Sequence, residues 1–178
     1  MDYIGGVDIS FVKEDENIAC AAYVLLSYPE LEIVYEKYEM VILDGPYIPG
    51  FLAFREVKHL KKLVEEAPIK PEVIMVDGNG ILHPRGFGLA SHLGVLTDIP
   101  TIGIGKNLFF LDGLEKKPVR EAIKSMDGNF YDLKGRSGKI HGFAYVFQKG
   151  SNPIYISIGH NVSLETCKDL LSFYFKWK

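Results

Sequence analysis

Residues 73–78 read VIMVDG, an unbroken apolar run that ends in an aspartate and a glycine. Apolar runs without polar alternation are typical of a central strand that is buried on both faces of a sheet. Asp77 ends this strand and is followed by Gly-Asn-Gly. In open α/β sheets, sites gather at the carboxyl ends of strands, although an aspartate that caps a turn is the alternative for Asp77. The segment therefore predicts an α/β fold with a candidate site at one edge of its sheet.

Further strand-like segments lie on both sides of this run. Those before it are GGVDISFV (5–12), ENIACAAYVLLSY (16–28) and EIVYEKYEMVIL (32–43). Those after it are PTIGIG (100–105), IHGFAYVFQ (140–148) and PIYISIG (153–159). The first junction is short enough for a hairpin, so this part of the sheet is expected to be antiparallel. The sheet is therefore predicted to be mixed.

Three segments have the spacing of helices, and the clearest is FLAFREVKHLKKLVEEA (51–67). Its apolar residues form one face, and charged residues, Arg55 among them, form the other. GFGLASHLGVLTD (86–98) reads as a second helix, and SLETCKDLLSFYF (163–175) as a third with Ser163 as its N-cap. The stretch from about 106 to 138 reads as Lys-rich and turn-rich. The chain is predicted to be one α/β domain over residues 1–178, with a mixed central sheet flanked by helices.

The composition excludes several classes of protein. The chain has 178 residues and a formal net charge of −3, which excludes a histone-like polybasic protein but not an enzyme with positive charge on one face. An apolar fraction of 47% excludes disorder. No segment reads as a membrane span or signal peptide, and two cysteines, Cys20 and Cys167, make no disulfide framework. We therefore expect a compact, reduced, intracellular protein.

Three acidic residues in separate elements point toward the sheet. Asp8 lies in an apolar strand, Asp77 ends another, and Glu56 falls in the apolar stripe of the first helix. A buried carboxylate is costly unless it is paired or holds a metal, so a buried salt bridge is the alternative for Glu56 and a turn cap the alternative for Asp8. Taken together, the three suggest a carboxylate cluster that binds Mg²⁺, which prefers oxygen ligands.

Other candidate motifs give weaker evidence for a function. GIGK (103–106) lacks the spacing of a Walker loop, and the adjacent Ser91 and His92 diverge on a helix, so they do not form a nucleophile–base pair. The five histidines and two distant cysteines show no zinc spacing.

Four blocks of the sequence resemble the endonuclease V family. They are VDISF, PYIPGFLAFRE, VDGNGILHPRGFGLASHLGVLTDIPTIGIGK and PIYISIGHNVSLET. They occur in the family's order and cover most of the chain from Gly5 to about Leu170. The resemblance implies an RNase H-like fold and an enzyme that cuts nucleic acid near inosine.

The resemblance also implies roles for individual residues. Asp8, Glu56 and Asp77 would be the metal-binding carboxylates, in agreement with the cluster inferred from the residues themselves. His160 would lie beside the metals and position or activate water. Lys106 would neutralise a phosphate near the scissile bond.

A second group of residues would bind the substrate. By the resemblance, Pro46, Tyr47, Ile48 and Pro49 would form the wedge that separates the strands. Gly78, Gly80 and neighbouring backbone would line a pocket for the flipped hypoxanthine, and His83 would lie near the substrate strand.

The chain departs from the family pattern in three places. It begins seven residues before Asp8, where many members have a further helix, and it lacks their R-I-P-E-P-x-R segment. We expect these differences to affect affinity and stability rather than the core chemistry. Gly105 stands where the family usually has alanine, which is expected to loosen that loop.

The sequence thus predicts a Mg²⁺-dependent endonuclease, with Mn²⁺ as a substitute metal, that acts on inosine-containing RNA or DNA. By the resemblance, it would cut the second phosphodiester 3′ to inosine and leave a 3′-hydroxyl and a 5′-phosphate. The alternatives are an inosine-recognising binding module without catalysis and another RNase H-like nuclease. We expect a monomer in the cytoplasm, or in the nucleus or nucleolus of a eukaryote.

Overall fold

The computed structural model describes residues 1–45, 48 and 50–176. Within these residues, eight strands form one sheet. The strands are β1 (Tyr3–Val12), β2 (Asp15–Ser27), β3 (Ile33–Ile42), β4 (Val73–Asp77), β5 (Thr101–Gly105), β6 (Phe130–Lys134), β7 (Ile140–Tyr145) and β8 (Ile154–His160). The helices are α1 (Leu52–Glu65), α2 (Leu89–Thr97), α3 (Lys116–Ser125) and α4 (Leu164–Lys176).

The sheet is mixed, as the sequence predicts. Its strand order is β3-β2-β1-β4-β5-β8-β7-β6. The first three strands in the chain are antiparallel neighbours, and β1, β4 and β5 run parallel to one another. β8 is antiparallel to β5, and β7 and β6 continue the antiparallel half. The carboxyl ends of β1, β4 and β5 therefore lie at one edge of the sheet, which we call the upper edge.

Helices cover both faces of the sheet. Val7, Ile74 and Val76 pack against α1 and α2 in one cluster, whereas Ile4 and Val73 pack against α4 in another. Because neighbouring side chains along a strand alternate between faces, these two clusters lie on opposite faces. The third cluster joins α3 to the face of β7 and β8 that is opposite to α4. The helices α1, α2 and α3 thus share one face, and α4 covers the other.

The stretch 106–138, predicted to be Lys-rich and turn-rich, also holds a helix and a strand, α3 and β6, which the sequence did not predict. The physical reason is the weak pattern of α3, which buries only Val119 and Ile123 and has Pro118 in its first turn. Two apolar residues four apart give little periodicity for a sequence argument. This omission matters below because α3 lies close to the upper edge.

Two local predictions for the helices have different outcomes. Ser163 accepts a hydrogen bond from the backbone N–H of Thr166 at 3.0 Å, which confirms it as the N-cap of α4. Arg55, expected on the solvated face of α1, is buried. Its guanidinium donates hydrogen bonds to the carbonyl oxygens of Gly45, which follows β3, and Glu16, which lies at the start of β2. These bonds join α1 to the open end of the β2–β3 hairpin. Within the described residues, no helix is long and apolar enough to cross a membrane.

Candidate active site

The register of the sheet makes Asp8 and Asp77 neighbours. β1 and β4 are parallel with Val7 opposite Val76, so the next residue of each strand is an aspartate. Residues level with each other on adjacent strands point to the same face. Both carboxylates therefore stand side by side at the upper edge of the sheet.

Glu56 approaches the same edge from α1. It is only 4% exposed, and burial raises its pKa to about 7. The positive charge of Arg55 opposes this rise, and the negative charges of Asp77 and Asp8 add to it. Ion pairs on α1 use Lys58, Lys61 and Lys62, and none within the described part of the chain uses Glu56. The buried salt bridge considered as an alternative for Glu56 is therefore not seen.

The pKa of Asp8 is also raised, although the residue as a whole is exposed at the rim of the sheet. Partial burial of its carboxyl is the largest cause, and the charge of Asp77 and a hydrogen bond with Asp77 follow. Glu56 and Asp8 each respond to the negative charge of Asp77. The sequence therefore brings three carboxylates from β1, α1 and β4 into one electrostatic cluster.

Lys106 supplies the positive charge of this cluster. It follows β5 directly, and its ammonium Nζ lies 2.5 Å from Oδ2 of Asp77. This hydrogen bond is the main cause of the raised pKa of Lys106, and the charges of Asp77 and Asp8 add to it. Lys106 thus lies beside the carboxylates, and its predicted contact with a phosphate stays a prediction.

The carboxylates do not form a finished metal centre. Among the described residues, no three His, Cys, Asp or Glu side chains are arranged to hold one ion. Asp77 is instead paired with the ammonium of Lys106. The chemistry of the donors still suits a hard divalent cation, because all three are carboxylates and their charges repel one another.

A cavity of about 240 Å³ adjoins the carboxylate cluster, and we call it the aromatic cavity. It is lined by Ala53 and Phe54 of α1, which precede Glu56, and by Gly78 and Asn79, which follow Asp77. The remaining lining residues are Gly50, Phe51, His83, Arg85, Phe87, Gly88, Leu89, His92 and Phe109. α1 and the segment after β4 therefore contribute to the cavity wall, whereas β1, which carries Asp8, does not.

Rings pack around this cavity. His92 makes edge contacts with Phe54 and Phe87 at centroid distances of 5.3 and 4.7 Å. The pKa of His92 is lowered by burial, so its ring is neutral at pH 7. Its Nδ1 is buried and has no hydrogen-bond partner among the described residues, and the same holds for Oδ1 of Asn79. Both atoms are closed off from solvent, and the residues around the cavity are mostly apolar, as in many ligand pockets.

His83 and Arg85 lie beside the residues that precede α1. Arg85 donates a hydrogen bond to the carbonyl oxygen of Gly50 at 3.1 Å, and its guanidinium lies 3.9 Å from the ring centroid of Phe51. His83 is buried beside them, and burial followed by the charge of Arg85 lowers its pKa. Gly78, predicted in the base pocket, and His83, predicted near the substrate strand, both lie in the wall of this cavity, and their contacts with substrate stay predictions.

Gly80, predicted in the same pocket, has another role. A Cβ atom at this position would lie 1.9 Å from the carbonyl oxygen of Ile158. Its backbone N–H donates to Oγ of Ser157 at 3.1 Å. Gly80 therefore allows the segment after β4 to pack directly on β8, and the expectation that it lines the pocket is wrong.

His160 lies away from the carboxylates. Because β8 is antiparallel to β5, His160 pairs with Thr101 at the beginning of β5, whereas Asp77 pairs with Ile104 near its end. Three residues along a strand correspond to about 10 Å. The prediction that His160 lies beside the metals is therefore wrong, because a histidine at the end of an antiparallel strand belongs to the lower edge.

The predicted wedge falls largely outside the described residues. Pro46, Tyr47 and Pro49 are not described, and Ile48 is exposed. The wedge remains a prediction.

Asn79, His92 and the phenylalanines of the cavity are residues that sequence reasoning missed as site residues. Asn79 could have been found from its place inside the Gly-Asn-Gly that follows Asp77. Phe54 could have been found from the sequence as a large apolar residue off the apolar stripe of α1. In the structure, it is 72% exposed. His92 gives no such signal, because a histidine in a helix is most often a surface or core residue.

Comparison with known proteins agrees with this geometry. The sequence profile of the family Endonuclease V matches residues 1–176. The chain belongs to the endonuclease V family. It is 50% identical to human Endonuclease V over 171 residues, which are 91% of this chain and 61% of the human protein. It is 41% identical to Endonuclease V of Rippkaea orientalis over 95% of this chain and 70% of that protein. The chain thus spans 51–61% of the mammalian relatives that it matches.

Solved structures of the family have the same fold. The catalytic domain of human Endonuclease V superposes with a TM-score of 0.89 at 48% identity, over 97% of this chain and 74% of that chain. Endonuclease V of Ciona intestinalis, in complex with DNA containing an inosine followed by a ribo-adenosine, superposes with a TM-score of 0.88 at 34% identity. That superposition covers 97% of this chain and 76% of the other. The fold is therefore RNase H-like, as the sequence resemblance implied.

Proposed function

We propose that this chain is a divalent-metal-dependent endonuclease that cuts a phosphodiester bond beside inosine in nucleic acid. The observation that carries the proposal is one juxtaposition. Two of the three clustered carboxylates, Glu56 and Asp77, lie within a few residues of the lining of the aromatic cavity. A site that holds a base next to a group of carboxylates suits chemistry on the nucleotide chain near that base.

Asp8, Glu56 and Asp77 would hold the cation, which we propose to be Mg²⁺, with Mn²⁺ as a substitute. Their donor oxygens suit a hard ion, which would also offset the burial and the mutual repulsion that raise the pKa of Glu56 and Asp8. A divalent cation in such a site supplies Lewis-acid activation of water and stabilises the leaving oxygen. For all three carboxylates to bind one cation, Asp77 would have to give up its contact with Lys106 and contact the cation instead.

Lys106 is suited to move from Asp77 to the substrate. Its side chain is 74% exposed, so little packing holds it in place. An ammonium released from Asp77 at this edge would lie beside the strand being cut and would pair with a phosphate oxygen. In this proposal, Lys106 neutralises negative charge that develops on the phosphate group.

The aromatic cavity would hold the flipped hypoxanthine. Its rings offer stacking surfaces for a flat base. Extrusion of the base into the cavity costs a few kcal/mol and is easiest where pairing is already weak.

The finer details of the proposal concern the position of the cut and the sugar. The cut would fall at the second phosphodiester 3′ to inosine and leave a 3′-hydroxyl and a 5′-phosphate. The substrate would be inosine-containing RNA or DNA, and a contact to the 2′-hydroxyl is the physical basis for a preference between them.

Two rival functions use the same fold. An inosine-recognising module without catalysis would bind in the aromatic cavity but would not need three clustered carboxylates. Another RNase H-like nuclease would need the carboxylates but not the cavity. The presence of both features beside each other favours the inosine endonuclease.

The test is cleavage of matched labelled strands that contain ribo-inosine, deoxy-inosine or guanosine, with Mg²⁺ or with EDTA. We expect cleavage of inosine strands only, and only with the cation. Binding of inosine strands without any cleavage would favour the silent module. Equal cleavage of guanosine strands would favour the general nuclease.

A further inference from the structure

A line of positive side chains runs along α3. Lys116, Arg120 and Lys124 are spaced four residues apart, so they lie on one face of the helix. Eight residues of helix correspond to about 12 Å, the length of three to four nucleotides of a stacked strand at about 3.4 Å each. We call this line the α3 cationic face.

These cations differ from those of α1 in their partners. On α1, Lys58, Lys61 and Lys62 are each paired with a carboxylate. On α3, none of the three cations is ion-paired with a carboxylate of the described part of the chain. The positive charge of α3 is therefore available to an anion from outside.

Arg120 is the most informative member. Its Nε is buried and has no hydrogen-bond partner among the described residues, and its Nη2 lies 3.5 Å from Oδ1 of Asn152, at the long limit of a hydrogen bond. A buried donor without a partner costs free energy, which a shift of the side chain toward an outside acceptor would recover. The planar guanidinium matches phosphate oxygens in particular.

Arg120 and Lys124 also form one wall of a cavity of about 590 Å³. Lys149, from the segment between β7 and β8, lines the same cavity together with Gln148, Ser151 and Asn152. Asp127 is the single carboxylate among the described lining residues, against three cations. The cavity is therefore polar and positively charged, unlike the aromatic cavity.

The α3 cationic face begins at the candidate active site. Lys116 donates a hydrogen bond to Oδ1 of Asn107 at 2.9 Å, and Asn107 follows Lys106. The segment that carries Lys149 leads into β8, whose Tyr155 pairs with Gly105 at the carboxyl end of β5. The charged cavity and the carboxylates therefore share the upper edge of the sheet.

We propose that the α3 cationic face and Lys149 bind the phosphate backbone of the substrate strand beyond the position of cleavage. This inference rests on the proposed function, because the strand must first lie across Asp77 and Lys106. The contacts go to phosphates and not to base edges, so they add affinity without reading sequence. The base in the aromatic cavity sets the position, and α3 holds the strand that leads away from it.

The test measures strand binding as a function of salt for wild type and for a variant with Arg120→Gln and Lys124→Gln. Losing two phosphate contacts should lower the slope of log K against log salt by about 1.4 and weaken binding roughly 10- to 30-fold near 0.1 M salt. The loss should be the same for inosine strands and unmodified strands. The loss of affinity should disappear when the strand is truncated on the side that reaches α3. Truncation on the other side should leave the loss of affinity unchanged.

The control removes two charges at the opposite edge. Lys70 precedes β4 and Lys139 precedes β7, and both are exposed, so Lys70→Gln with Lys139→Gln changes net charge equally. A second pair, Lys116→Gln with Lys124→Gln, uses exposed positions only and replaces the first pair if the Arg120 variant unfolds. Cleavage at saturating inosine strand should stay at the wild-type rate in both α3 variants.

Three results would overturn the inference. They are a wild-type salt slope in both α3 variants, an equal loss in the Lys70 and Lys139 control, and a loss that survives truncation on either side. Failure of inosine cleavage by the wild type is a separate result. In that case, binding of unmodified strands still decides the role of α3, and the absence of any strand binding counts against it.

Discussion

The ammonium of Lys106 lies 2.5 Å from the carboxylate of Asp77. The two residues sit at the ends of adjacent parallel strands, Asp77 as the last residue of β4 and Lys106 directly after β5. The pair places a mobile cation on the carboxylate that our proposal assigns to the metal. Lys106 and a divalent ion therefore compete for Asp77.

Replacing Lys106 by glutamine should tighten binding of Mn²⁺ in the absence of substrate. Removing an exposed ion pair worth up to about 1 kcal/mol predicts up to about fivefold tighter binding. Cleavage of inosine strands should fall at the same time, because the phosphate loses its cation. Calorimetric titration measures the first effect and single-turnover cleavage the second. Weaker metal binding than in wild type would contradict the competition, and Lys70→Gln is the matched control.

Glu56 should make the metal-free protein less stable as pH rises. Its folded pKa is about 7 against an ordinary value of 4.5, so between these values the folded state holds a proton that the unfolded state has lost. Stability therefore falls as pH rises from 4.5 to 7, by about 3 kcal/mol if Glu56 acts alone, and stays low above that. Thermal melts in EDTA at pH 5 and pH 8 measure the difference.

The Glu56→Leu variant separates a metal ligand from a structural ion pair. If the carboxylate is unpaired, as in the structure, the leucine variant should be as stable as wild type in EDTA at pH 8 or more stable. It should not cleave inosine strands. A large fall in its melting temperature would show that Glu56 holds a buried cation in place, which in comparable cases costs about 3–5 kcal/mol.

Gly80→Ala should destabilise the fold. Its Cβ would lie 1.9 Å from the carbonyl oxygen of Ile158, and because that oxygen is backbone, the strand itself must move. Overpacking of this kind costs roughly 1–3 kcal/mol or more. Gly6→Ala is the control, since its nearest neighbour is a side-chain methyl of Val24 at 3.2 Å. Urea unfolding compares the two variants, and equal midpoints would show that the segment after β4 can shift freely.

Phe87→Ala should weaken recognition of inosine more than binding of nucleic acid in general. Phe87 lines the aromatic cavity and contacts the ring of His92. Stacking on an aromatic ring is worth about 1–3 kcal/mol per base, so affinity for inosine strands should fall about 5- to 100-fold. Affinity for unmodified strands should change little. Phe110→Ala, at an exposed position outside the cavity, is the control. Equal losses of affinity for both kinds of strand would show that Phe87 has no role in recognising the base.

Much of the fold could be predicted because strong patterns decide it. The apolar run that ends at Asp77 predicted β4, and the striped helix around Glu56 predicted α1. Together they predicted that the carboxylates of Asp77 and Glu56 lie close to each other. The weak pattern of α3 could not be read, since only Val119 and Ile123 mark its buried side. Its cations were therefore read as part of a turn-rich stretch.

The errors at the site come from register and packing, which the sequence does not show. His160 was placed at the site by its motif, but the antiparallel direction of β8 takes it to the other edge. Gly80 was placed in the pocket by its neighbours, but the close approach of β8 gives it a packing role. The contact between Lys106 and Asp77 also depends on strand order, which brings β4 and β5 together.

The most direct test of the account is single-turnover cleavage of one inosine strand by wild type and Asp77→Asn. The substitution removes an anionic donor with almost no change in volume, and metal-centred charge stabilisation is worth several kcal/mol. We predict that wild type cuts with Mg²⁺ and not with EDTA, and that Asp77→Asn binds the strand, melts at a similar temperature and retains less than about a tenth of the rate, the loss that 1.36 kcal/mol would cause. Cleavage by wild type in EDTA, or a variant that cuts faster than that limit, would contradict the metal-dependent mechanism.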